Sequence, residues 1–168
     1  MGRYIVAIDP GNEDSAYVLL GPDLRPMAGC KMANEMMWAD LLEHLQDLGP
    51  YDDIAFAIEM IASYGMPVGR EVFDTCVWIG VLKERLRHYP VTFVYRKDEK
   101  LTLCNSPRAN DATIKQALID RFAPGEKNYG KGTKKNPGWF YGFKADMWAA
   151  YAVGVTYHDM EAQHGSEG

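Results

Sequence analysis

Residues 5–20 read Ile-Val-Ala-Ile-Asp-Pro-Gly-Asn-Glu-Asp-Ser-Ala-Tyr-Val-Leu-Leu. The stretch opens as an apolar strand over Arg3 to Asp9 and stops at Pro10-Gly11. Proline fixes its own φ and glycine tolerates φ > 0, so the pair predicts a sharp turn. A second strand follows over Ala16 to Leu20. Asp9 therefore stands at the end of a core strand, where a carboxylate is expensive to desolvate unless it is paired or metal-bound.

Working outward, a third strand is expected within Met27 to Lys31. Asn34 is expected to cap a helix over about 35–48, with Trp38, Leu41, Leu42, Leu45 and Leu48 recurring at helical spacing and Gly49-Pro50 ending it. Ile54-Ala55-Phe56-Ala57-Ile58 reads as a buried strand closed by Glu59. A long helix is expected over about 68–87. Its stripe of Val68, Val72, Ile79, Leu82 and Leu86 is widened by Phe73, Val77 and Val81, a face broad enough for burial on two sides. Val91 to Tyr95 reads as a fifth strand. Asn110 is placed to cap a helix reaching about Phe122, residues 124–138 read as a Gly/Lys/Pro-rich loop, and a last helix is expected over about 144–157. Three early strands followed by alternating helices and strands predict an α/β fold with a mixed five-stranded sheet flanked by helices.

The chain has 168 residues, 47% of them apolar and 24% charged, which predicts one globular domain over 1–168, with its core at about 3–157 and a tail at about 158–168. No apolar run approaches the ~20 residues of a spanning helix, so no membrane partner is expected. The N-terminus lacks the apolar region and cleavage site of a signal peptide, and a cytoplasmic location is expected, the host's if the protein is viral. Cys30, Cys76 and Cys104 have no metal-ligand or disulfide-framework spacing, and the four histidines show no ligand spacing.

Three acids stand out. Asp9 and Glu59 each end an apolar strand, and neighbouring strands would bring them to one edge of the sheet. Asp146 begins a helix of small apolar residues suited to close packing. Clustered carboxylates suit Mg²⁺, which keeps waters for substrate phosphate. Each acid also has an ordinary alternative: a turn cap for Asp9, a surface ion pair for Glu59, a helix-dipole partner for Asp146.

The net charge of −5 argues against nucleic acid, but its distribution argues the other way. Residues 95–135 hold ten Lys or Arg against five acids, leaving eight basic against eighteen acidic side chains elsewhere. Lys127, Lys131, Lys134 and Lys135 lie among glycines just before the Asp146 helix, where they suit phosphate contact or a solvated loop. Tyr64, Trp139, Phe140 and Tyr141 offer faces for stacking on bases or for packing.

"IVAIDPGNEDSAYVLL" resembles the first motif of the RuvC-like Holliday-junction resolvases of the RNase H-like superfamily. "IAFAIEMIASYGMPVGREVFDTCVWIGVL" is similar to their second motif, "EKLTLCNSPRANDATIKQAL" to the segment after the fifth strand, and "KADMWAAYAVGVTY" to the final helix. The resemblance runs from about residue 4 to 157 and looks closest to the divergent bacteriophage branch. Sugar kinases and actin-like ATPases open similarly, but they need a second domain that this length cannot supply.

The resemblance implies an RNase H-like fold and a metal-dependent endonuclease, most simply a resolvase of four-way DNA junctions. It implies Asp9, Glu59 and Asp146 as catalytic metal ligands, with Asp9 bridging two Mg²⁺ ions, Mn²⁺ substituting, and 5′-phosphate and 3′-hydroxyl products. Lys100 matches a family lysine, and Arg108, Lys131, Lys134 and Lys135 are further candidate DNA contacts. A homodimer is implied, with the 68–87 helix as its contact. The alternatives are a less structure-selective nuclease and an inactive branched-DNA-binding module. One departure is plain. The family carries another acid three residues before the last one, where this chain has Phe143. Asp111 is the candidate replacement, against a role as first-turn acid after the Asn110 cap.

Overall fold

The computed structural model describes residues 2–50 and 52–166. Strands β1 (Tyr4–Asp9), β2 (Asp14–Leu20) and β3 (Pro26–Ala33) form an antiparallel meander. Helix α1 (Asn34–Gln46) then leads to β4 (Ile54–Met60), α2 (Arg70–Arg85) and β5 (Val91–Tyr95). The two later strands join parallel to the meander, giving the order β3-β2-β1-β4-β5. Helices α3 (Arg96–Cys104), α4 (Asp111–Phe122) and α5 (Ala145–Ser166) complete the chain. This is the mixed five-stranded α/β sheet flanked by helices that the sequence predicts.

Period-2 alternation sorts the strands onto two cores. Val6, Ile8, Tyr17, Leu19, Phe56 and Ile58 face α1 and α2, joined by Met37, Leu41, Ile79 and Leu82. Ile5, Ala7, Val18, Leu20, Ala55 and Ala57 face the opposite layer, built from α4, α5 and the aromatic residues before α5. The second face is lined with small residues because α5 lies close against it. A Cβ at Gly154 would stand 2.9 Å from a Leu20 methyl and 3.0 Å from the Ala7 Cβ.

Several expectations change. Asn34 begins α1 rather than capping it, and Ala33 holds the cap position without a side-chain bond. The Asn34 amide is engaged elsewhere: its Oδ1 accepts from Ser15 Oγ at 2.6 Å, and its Nδ2 donates to the carbonyls of Gly11 and Asn12. Ser15 Oγ also accepts from the Gly11 N–H and from Trp78 Nε1. This network pins the turn after Asp9. Gly11 is needed there for close approach rather than for positive φ, since a Cβ would fall 2.2 Å from the Asp14 carbonyl oxygen.

The apolar stripe expected on the 68–87 helix divides. Thr75, Trp78, Ile79 and Leu82 are buried, whereas Phe73 and Val77 are 60% and 68% exposed, and Val68 precedes the helix. The region expected as tail is helical, with α5 running on to Ser166. Segment 124–138 is structured: Lys127–Gly130 forms a tight turn with Asn128 and Tyr129 in the left-handed region, and Gly132 pairs with Pro137 around a second turn closed by Thr133 N–H donating to Asn136 O. Helix α3 is an addition to the expected elements. No helix among the described residues is long and apolar enough to cross a membrane, and the three cysteines are free thiols.

Candidate active site

Strand register brings Asp9 and Glu59 together. β1 and β4 run parallel with Ile8 opposite Ile58, so Asp9 and Glu59 are the next residues on adjacent strands. Alternation puts both on the face shared by Ala7 and Ala57, towards α5. In α5, Ala150, Val153 and Gly154 lie against the sheet, and Asp146 continues that stripe one turn earlier. The three acids named from sequence thus collect at one end of the sheet.

Their electrostatics are those of a crowded, dehydrated site. Burial, then the charge of Glu59, then that of Asp146, push the Asp9 carboxyl up to about 7. Burial and the charge of Glu99 push Glu59 up to about 7 as well, against the opposing pull of Arg96. Desolvation disfavours the charged form of each acid, and the neighbouring charges add to it. Asp146 is placed differently. Its Oδ2 accepts from Lys31 Nζ at 2.7 Å, and both side chains are about half exposed. Lys31 arrives from β3, where it pairs with Ala16 of the strand beside β1. The carboxylate raises the Lys31 pKa by hydrogen bond and charge.

A carboxylate that sequence reasoning passed over completes the group. Glu99, in α3, is 0% exposed and is the one buried charged residue among those described. Burial pushes its carboxyl up to about 7, and Asp9 adds to the shift. The sequence "RKDEKLTLC" gives little sign of this, because a charged run ordinarily reads as solvated. The usable signals are Asp98, whose carboxylate accepts from the Tyr95 N–H at the helix start, and the i, i+4 pair Glu99 and Leu103, which shares one face.

Asp111 is brought to the neighbourhood but not into the acid group. It sits in the first turn of α4 beside its Asn110 cap, is fully solvated, and is ion-paired with Arg96. Together with Arg96, Lys115, Asp146 and Trp148 it lines a cleft of about 310 Å³ between α4 and the start of α5. Phe143 is not a gap in the site. It is 3% exposed and packs edge-on against Phe140, Trp148 and Tyr151.

The candidate DNA contacts differ in exposure. Half-buried Lys100 lines a shallow pocket with Tyr64, Arg96, Lys97 and Pro107. Lys134 and Lys135 are exposed at the tip of the Thr133–Asn136 turn, with Lys131 half-buried at its base, and Arg108 is exposed before α4. Of the aromatic residues considered for stacking on bases, Phe140 is wholly buried, and Trp139 stacks on Phe122 and donates to Tyr151, so both are structural. Tyr64 and Tyr141 are exposed, at 66% and 51%.

The fold is shared with solved structures at low sequence identity. The Thermus thermophilus RuvC structure superposes with a TM-score of 0.64, at 16% identity and over 96% of each chain. T. thermophilus RuvC in complex with a Holliday junction substrate gives 0.63, at 15% identity and the same coverage. A fowlpox virus resolvase bound to Holliday junction DNA is a looser likeness, with a TM-score of 0.49 at 17% identity. No protein-family model matches the sequence, and no curated protein does either.

Proposed function

We propose that this chain is a divalent-metal-dependent DNA endonuclease that resolves four-way junctions. The observation that carries the proposal is the meeting of Asp9 and Glu59 on adjacent parallel strands, facing the start of α5 where Asp146 stands. The shared fold with a protein solved on a Holliday junction, over nearly all of both chains, supports the same reading.

The donors present suit a hard cation. All are carboxylate oxygens, and three are crowded in a buried setting that a dication would relieve. As they stand, no three His, Cys, Asp or Glu side chains among the described residues enclose a metal position. Asp146 leans instead to Lys31, a solvent-screened pair that is readily exchanged. Asp9, Glu59 and Asp146 are the residues that would hold Mg²⁺ or Mn²⁺. When bound, such ions supply the positive charge that activates water and neutralises a leaving oxygen.

The chain's own residues supply the rest. The Ser15, Asn34 and Trp78 network holds the turn that fixes Asp9. Sheet register fixes Glu59, and the close seating of α5 at Gly154 fixes Asp146. Lys31 is an exposed ammonium at the mouth of the site, free to turn from Asp146 to a substrate phosphate. Lys100, in a pocket with Arg96, and the basic residues Arg108, Lys131, Lys134 and Lys135 suit a phosphate backbone. The outward Phe73 and Val77 on α2 suit contact with a second copy, and a two-fold pair would present two sites to the two symmetric strands of a junction.

The test is incubation with four-way, flapped and linear duplex DNA, with Mg²⁺ and with EDTA. Selective, Mg²⁺-dependent cutting of the four-way substrate is the expected result. Equal cutting of all three would leave a less selective nuclease, and binding without cutting in Mg²⁺ or Mn²⁺ would leave a DNA-binding module.

A further inference from the structure

We infer that Glu99 is the fourth carboxylate of the metal site, supplied by α3 because Phe143 is committed to the core. The inference rests on the reading of Asp9, Glu59 and Asp146 as metal-holding residues.

Helix α3 begins without a loop after β5. Met60 pairs with Tyr95, so the first turn of α3 lies at the end of the strand that carries Glu59. The Tyr95 N–H donates to Asp98 at 3.0 Å and fixes that turn. Glu99 follows on the inward side, the side on which Leu103, four residues on, packs against the core.

The Glu99 side chain is completely buried, yet neither carboxylate oxygen has a hydrogen-bond partner. The nearest cation is Arg96, whose Nη1 makes a long ion pair with Oε1 at 3.5 Å and whose Nη2 is engaged by Asp111. A fully buried carboxylate with no hydrogen-bond donor and only one long, shared ion pair is poorly compensated for its lost hydration. Its neighbours deepen that penalty, since the groups whose charges it shares are Asp9 and Glu59. Two carboxylate oxygens without hydrogen-bond donors, within the field of two further acids, make a donor set suited to a divalent cation.

No residue on α5 can play this part. The position three residues before Asp146 is filled by Phe143, locked among Phe140, Trp148 and Tyr151. Asp111 is solvated and neutralised by Arg96. Glu99 alone combines burial, idle oxygens and proximity to both strand-end acids.

The experiment is Mn²⁺ binding to the purified protein without DNA, followed by calorimetry and electron paramagnetic resonance, for wild type, Glu99→Gln, Glu99→Met and Asp9→Asn. Melting in EDTA at pH 8 is measured alongside. Glu99→Gln and Glu99→Met are expected to weaken Mn²⁺ binding by at least about tenfold, the scale on which even outer-shell partners act. They are expected to melt no lower than wild type in EDTA, because a stranded charge has been removed. Mn²⁺ binding at wild-type affinity in both Glu99 variants, with loss in Asp9→Asn, would overturn the assignment of Glu99 and leave the metal site standing. Unchanged binding in Asp9→Asn as well would overturn the site itself. Loss of folding in both Glu99 variants would make the carboxylate structural and end the proposal.

Discussion

Replacing Asp9 by Asn should stabilise the metal-free protein at neutral and alkaline pH. Asp9 is the hub of the buried acids, next to Glu59 and within the field of Asp146, with Lys31 the cation acting on it. Glu59 and Glu99 share the same pocket, opposed by Arg96. A carboxyl carried from 3.8 to about 7 bears a charging penalty of at most about 4 kcal/mol. Part of that is escaped by sharing protons among the three acids, leaving about 1–3 kcal/mol for Asp9→Asn to recover.

The sign follows from proton linkage. Carboxyls raised in the folded state keep protons that the unfolded chain has released, so stability is fullest below about pH 4 and falls until about pH 7. Wild type and Asp9→Asn should therefore melt together near pH 4. By pH 8 the variant should melt higher by roughly 3–10 °C for a domain of this size. Thermal melts by circular dichroism in EDTA across that range provide the assay. A variant that melts at or below wild type at pH 8, or a wild type whose stability does not fall between pH 4 and 7, would refute the reasoning.

Three further outcomes are expected. Asp111→Asn keeps the shape of a solvated first-turn residue and should leave cleavage at limiting Mg²⁺ near normal; a fall of orders of magnitude would make Asp111 a ligand. Replacing Lys131, Lys134 and Lys135 with Ala should flatten the slope of log K against log salt for junction binding by about one unit per lost phosphate contact. An unchanged slope would make them solvated loop residues. Val77→Glu together with Phe73→Glu should give a monomer by sedimentation at micromolar concentration where the parent is a dimer, because both residues project outward from α2; a monomeric parent would remove the dimer.

The fold was legible because its decisive residues obey short-range rules. Strand alternation in Ile5–Asp9 and Ile54–Glu59 placed both acids on one face, and Pro10-Gly11 marked the turn beyond Asp9. Asn110 caps α4 as its spacing predicts, with Thr113 completing a capping box. Asn34 misled because a side chain suited to capping was drawn into a tertiary network with Ser15, which periodicity does not reveal. The apolar breadth of α2 divided between core and exposed surface, since a stripe shows which residues are apolar but not what covers them. Glu99 was hidden for the opposite reason. In a run of charges the local signals, a capping Asp98 and the Glu99–Leu103 spacing, are faint, and it is the seating of α3 after β5 that turns Glu99 inward.

On the proposed function, the acids gathered at the sheet end cut junction DNA with a divalent metal. The most direct measurement is strand cleavage of an end-labelled four-way junction by wild type and Asp9→Asn, in Mg²⁺ and in EDTA, with binding followed on the same substrate. Wild type should cut only with Mg²⁺ and leave 5′-phosphate and 3′-hydroxyl ends, and Asp9→Asn should bind the junction as tightly while leaving it whole. Full cleavage by Asp9→Asn, or cleavage by wild type that persists in EDTA, would contradict the account.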